Sequence, residues 1–184
     1  NGDSLDVITF SGNGEPTLHP SFKDIVHDVT VLRDRYYPQA KVSVLSNATM
    51  AANPRVKQAL LAVDNNILKL DSAVARTMRL INRPASANVL PAGIIEDLAE
   101  YGGKCIVQTM ILRGEHNGER IDNTTTAEID ALIDAYKRIR PQEVMIYSID
   151  RKTPEEHLEK VPREELEDIG RRIEEAGIKV QVNA

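Results

Sequence analysis

Apolar and polar positions along this 184-residue chain follow two alternating periods. Short, largely β-branched runs at 6–11, 41–45, 66–70, 104–112, 143–149 and 178–182 read as strands. Between the first two, Phe22, Ile25, Val26, Val29 and Leu32 recur at helical spacing behind Ser21, predicting a helix over 21–36. Asn53-Pro54 opens the next helix by cap-then-proline logic, with Val56, Leu60, Leu61 and Val63 as its buried face. A turn through 72–80 and the Arg83-Pro84 break precede a helix over 88–101, closed by Gly102-Gly103. Helices over 126–139 and 162–176 follow, stopped by Arg140-Pro141 and by Gly177. The stretches 113–123 and 150–161 read as polar loops.

Strands separated by helices imply parallel pairing through right-handed crossovers. Nearly continuous apolar strands imply that both faces of the sheet are covered. The fold class is therefore α/β, in one domain spanning 1–184. Periodicity alone fits a doubly wound sheet and an open partial barrel equally well.

Composition narrows the function only slightly. A net charge of −5 gives no general attraction for nucleic acid, and the absence of tryptophan leaves few platforms for base stacking. No run approaches the roughly 18 apolar residues of a membrane helix, and no secretory signal is visible. A single cysteine excludes an internal disulfide and fits a reducing compartment, so the expected location is cytoplasmic, without a membrane partner. The chain starts at Asn1 and enters a strand by Asp6, which reads as a trimmed N-terminus.

Polar chemistry gathers at the strand ends. The first strand empties into Ser11-Gly12-Asn13-Gly14-Glu15-Pro16, where two glycines let backbone approach a ligand and adopt positive φ, and Glu15 offers one carboxylate. Ser46-Asn47, Asp71-Ser72, Arg113-Gly114-Glu115 and Ser148 to Arg151 end the later strands, and in a parallel layer all face one rim. Loop residues are polar in any case, so no single one of them makes a site. Asp71 reads either as a ligand for paired hydroxyls or as a cap for the turn after it. Lys69 and Gln108 interrupt apolar strands and read either as cavity-lining groups or as satisfied polar positions. Arg151 reads as an anion clamp or as a surface ion-pair partner. His19, His27, His116 and His157 lack metal-ligand spacing, and Cys105, at the start of its strand, reads as buried filling at the opposite rim. No phosphate-binding P-loop, nucleophile elbow or dinucleotide motif is present.

The strand followed by Gly12-Asn13-Gly14-Glu15-Pro16 resembles the glycine-glycine-glutamate loop of the radical S-adenosylmethionine (radical SAM) superfamily. Asn13 stands where the first glycine is more usual. Ser46-Asn47-Ala48-Thr49 is similar to the family's threonine-asparagine-glycine turn, with Ala48 in place of glycine. Gln108-Thr109-Met110 and the run from Tyr147 to Pro154 resemble an Fe–S oxidoreductase branch related to the wyosine-forming enzymes. This resemblance implies a TIM-like (β/α)6 partial barrel, truncated here at its first β/α unit. It implies S-adenosylmethionine held by Gly12, Asn13, Gly14 and Glu15, with Asn47, Asp71 and Gln108 near the cofactor. It also implies a [4Fe–4S] cluster, an electron donor, and an unknown substrate that is a small molecule, a protein or tRNA. The family's C-x3-C-x2-C cluster motif is missing, so the fragment alone is expected to be inactive. Two other readings stay open: a non-catalytic α/β binding domain, and a cluster-free (β/α)-barrel enzyme working through Lys69 and Asp71.

Overall fold

A computed structural model describes residues 4–12, 14–150 and 157–183. Six parallel strands form the main sheet: β1 (Val7–Phe10), β2 (Lys41–Ser46), β3 (Asn65–Lys69), β4 (Ile106–Met110), β7 (Glu143–Tyr147) and β9 (Val180–Asn183). Their spatial order is their chain order, β1-β2-β3-β4-β7-β9. A doubly wound sheet needs a reversal of that order, and there is none. Crossovers of one hand that always step the same way put their helices on the same face. The sheet is therefore singly wound and open, not closed into a barrel.

The helices are α1 (Phe22–Tyr36), α2 (Pro54–Leu60), α3 (Ala75–Asn82), α4 (Pro91–Ala99), α5 (Thr126–Ile139) and α6 (Arg163–Glu175). They cover the face presenting Val44, Leu68, Val107, Val144 and Ile146, which join Val26, Leu60, Leu98, Leu132 and Ile173 in one core. Gly170 lets α6 approach closely, because a β-carbon there would stand 2.7 Å from Val182 Cγ2. Only one face is packed this way. Leu45, Ile67, Lys69, Gln108, Met145 and Tyr147 point to the other side and stay half-buried, contrary to an expectation of two covered faces.

Two of the expected loops contain strands. Residues 113–123 form a hairpin of β5 (Leu112–His116) and β6 (Glu119–Asp122), and Leu158–Lys160 adds β8 to make a β6-β5-β8 antiparallel sheet. Asn117 and Gly118 turn the hairpin at φ 51° and 77°, the left-handed pair that suits two-residue connections. The expected turn at 72–80 is largely α3, and the helix expected over 88–101 shortens to α4. Asn53 caps α2 as its sequence suggests, accepting from Arg55 N at 3.0 Å and Val56 N at 3.3 Å.

Candidate functional site

The C-terminal ends of β1 to β4 and β7 share one rim. Glu15 caps the short turn Pro16–Leu18, its Oε1 accepting from Thr17 N at 3.1 Å and Thr17 Oγ1 at 2.5 Å. Its Oε2 accepts from Asn47 N at 2.6 Å. One carboxylate thus staples the end of β1 to the end of β2. Asn47 turns its own Oδ1 back onto Thr49 N and Oγ1, at 3.0 and 2.7 Å. Ala48 follows in the left-handed region at φ 64°, the conformation for which glycine is the ordinary choice. Gly12 does not adopt positive φ, contrary to expectation, and space is open around the β-carbon that Gly12 and Gly14 each lack. Their contribution is a bare backbone on a cavity wall.

Gly12, Gly14, Glu15, Asn47 and Gln108 line one cavity of about 300 Å³ together with Lys69 and Tyr147. Five of the seven residues that the family resemblance assigns to the cofactor therefore meet in one place. Asp71 lines a neighbouring cavity, to which Asn47 and Lys69 also contribute. Asn13 and Arg151 lie outside the described residues. The Gln108 side chain has no hydrogen-bond partner among the described residues and is half-buried on the wall.

Lys69 is the electrostatic centre. Its ammonium lies 3.1 Å from Asp71 Oδ2, and Tyr147 of β7 faces the same cavity. Burial pushes the amine toward neutrality, but the Asp71 carboxylate and Tyr147 outweigh it, and its pKa is raised above the ordinary lysine value. Tyr147 is raised too, by burial, with Lys69 opposing. Asp71 is itself buried and carries further donors: Met110 N at 2.8 Å to Oδ1 and Asn82 Nδ2 at 2.5 Å to Oδ2. It does not cap the following helix, where Ser72 Oγ accepts from Val74 N at 2.9 Å instead.

The groups that hold this arrangement were not visible as site residues in the sequence. Fully buried Asn123 donates to Asp71 O at 2.8 Å and Met110 O at 2.7 Å, and accepts from Leu112 N at 2.8 Å. Buried Glu128 accepts from Ser72 Oγ at 2.7 Å and Thr77 Oγ1 at 2.5 Å, tying α5 to the segment after β3. A faint signal existed for Glu128, since Thr125-x-x-Glu128 is a capping pattern and Thr125 does cap α5. For Asn123 there was none.

Among the described residues no group of three or more histidine, cysteine, aspartate or glutamate side chains is placed to hold an ion. Cys105 is buried just before β4, at the far rim, and burial pushes its thiol up to about 12. Among the described residues no helix is long and apolar enough to cross a membrane.

No family profile matches the sequence. Among curated proteins, the chain is 25% identical over 170 residues to a GTPase Obg of Brachyspira hyodysenteriae, covering 91% of this chain and 23% of that protein. It is 31% identical over 153 residues to a UPF0026 protein of Synechocystis, covering 82% and 52%. The chain thus spans between about a quarter and a half of these relatives. Among solved structures, a domain of a pyruvate-formate lyase-activating enzyme from Bacteroides vulgatus superposes with a TM-score of 0.70 at 14% identity, covering 97% of this chain and 99% of that one. A radical SAM methyltransferase from Sphaerobacter thermophilus gives 0.69 at 15% identity, covering 99% and 52%. TYW1 with a lysine-pyruvate adduct bound gives 0.65 at 15% identity, covering 92% and 50%. The chain has the fold of radical SAM enzyme domains.

Proposed function

We propose that this chain is the S-adenosylmethionine-binding core of a radical SAM enzyme of the Fe–S oxidoreductase kind, which abstracts hydrogen from an organic substrate by way of the cofactor's 5′-deoxyadenosyl group. One observation carries this reading: Gly12, Gly14, Glu15, Asn47 and Gln108, contributed by β4 and by the segments after β1 and β2, line a single rim cavity. The residues fit the cofactor's methionyl end. Glu15 uses three of a carboxylate's about four acceptor sites on Thr17 and Asn47, leaving one for an ammonium. The side-chain amide nitrogen of Asn47 and the whole Gln108 amide have no partner among the described residues. The chain does not fit the [4Fe–4S] cluster. Its one cysteine is buried at the wrong rim, so the thiolates would come from outside these 184 residues. An electron donor and a substrate, whether small molecule, protein or tRNA, complete the proposed set of partners.

Titration calorimetry tests the proposal. S-adenosylmethionine should bind the wild-type chain, and Glu15→Ala should weaken binding roughly tenfold to a hundredfold, the range for a lost charge-assisted hydrogen bond. Thr17→Val, which removes one donor but keeps the carboxylate, should leave binding nearly intact. The isolated chain should not cleave the cofactor reductively.

A second reading has an observation of its own. Glu15 is already engaged by the protein, as a purely structural acid in a non-catalytic binding domain would be. In that case both variants lower stability and neither changes cofactor affinity. The cluster-free lysine enzyme is disfavoured by the charge state of Lys69, because a protonated amine does not attack a carbonyl. Incubation with pyruvate and borohydride at neutral pH should leave Lys69 unmodified by peptide mass spectrometry; a trapped adduct there would revive that reading. Nor does the chain contain a P-loop through which the GTPase named among its relatives would extend to it.

A further inference from the structure

Beside the cofactor cavity lies a larger one of about 520 Å³, within the range of small-molecule sites. It is bounded by the end of β3, by α3, and by the 83–90 connection into α4. Its walls are mainly apolar, with Met78, Ile81, Val89 and Ile94 prominent. Its charged groups are Lys69, Asp71 and Arg83. Lys69 and Asn47 line both cavities and form the partition between them.

The partition is asymmetric in what it offers. Asp71 receives a backbone N–H, an asparagine amide and an ammonium, so its charge is spread over three donors. Lys69 has three donor positions, and Asp71, 3.1 Å away, takes one of them, with Tyr147 lining the far side. An ammonium hydrogen is left for an acceptor, in a setting where apolar walls strengthen the interaction. Arg83, 3.4 Å from His116 of the hairpin, is part of the same lining.

We propose that this second cavity seats a small organic monoanion, a carboxylate on an apolar body, with its charged end toward Lys69 and its body against α3 and α4. That this ligand is the substrate rests on the radical SAM reading above; that the cavity binds it does not. The arrangement would hold the ligand one side chain away from the cofactor, with Lys69 between the two.

Titration calorimetry and saturation-transfer NMR on the chain test this with three probes of one shape: 4-phenylbutyrate, its neutral amide and the corresponding amine. The carboxylate should bind at least tenfold more tightly than the amide or the amine. Lys69→Gln should abolish that preference. Ile81→Trp and Ala85→Trp, two independent plugs of which the second sits on an exposed loop, should each weaken carboxylate binding at least tenfold. Saturating S-adenosylmethionine should not displace the probe. Absence of binding, equal affinity for the three probes, indifference to both plugs, or displacement by S-adenosylmethionine would each overturn the proposal. If the probe behaves as expected while Glu15→Ala leaves cofactor affinity untouched, the radical SAM reading falls and the anion site stands. Failure of the probe with an intact Glu15 effect has the opposite meaning.

Discussion

Asn123→Ala should cost roughly 3–5 kcal/mol of folding stability, a large share of the about 5–15 kcal/mol typical of a domain. The side chain is fully buried and satisfies three backbone groups. These are the carbonyls of Asp71 and Met110 and the amide of Leu112, at the point where β3 ends and β4 turns into β5. Alanine leaves all three without their partner, and each orphaned group costs about 1–3 kcal/mol, partly relieved if water enters. In a thermal melt the expected shift is a drop of roughly 10 °C. Asn123→Asp should be no milder, because it retains the acceptor but turns a carboxylate oxygen toward two carbonyls. A loss below about 1 kcal/mol for the alanine variant would mean that the neighbouring backbone repairs itself, and that Asn123 does not organise the rim.

That dependence explains which parts of the molecule the sequence could reveal. The β/α alternation, the Asn53 cap and the Gly102-Gly103 closure at φ 60° and 83° are local, and each follows from a few adjacent residues. The glutamate loop was legible for the same reason, since strand, glycines and carboxylate are contiguous. Asn123, Tyr147 and Asn82 were not, because their partners lie at least eleven residues away and meet only through the sheet register. Lys69 shows both sides of this. Its polarity within an apolar strand singled it out, but the pKa of its amine reflects burial, which lowers it, and the Asp71 carboxylate and, from β7, Tyr147, which raise it. The direction of winding was equally hidden, as periodicity reports that strands alternate with helices but not the order in which they pair. The hairpin was a different kind of miss: Asn117-Gly118 is a strong local turn signal that the surrounding polarity disguised.

Gly114→Ala should be the most disruptive change in that accessory sheet. Gly114 sits in the middle of β5, paired with Ile121 of β6 on one side and Leu158 of β8 on the other. Its φ of 144° is a region used essentially by glycine alone. A β-carbon there would run into the His157 carbonyl oxygen and stand 2.8 Å from Leu158 Cα, and both are backbone atoms that cannot rotate away. Strain and overlap together should cost roughly 3 kcal/mol or more. The chain has a local escape, since β8 is only three residues long. Breaking the β5–β8 ladder, including Glu115 N to His157 O at 3.0 Å, removes the clash without unfolding the parallel sheet. The expected signature is therefore faster amide hydrogen exchange at Glu115 and across Leu158–Lys160, with β5–β6 exchange and the main-sheet amides much less changed. Gly118→Ala separates the two causes. It shares a positive φ, 77°, but nothing lies within 4 Å of its missing β-carbon, so it should cost only about 1 kcal/mol. Equal effects of the two substitutions would show that backbone strain alone governs these glycines. A larger effect at Gly114, confined to β8, would show that the accessory sheet is closed by a contact only hydrogen permits.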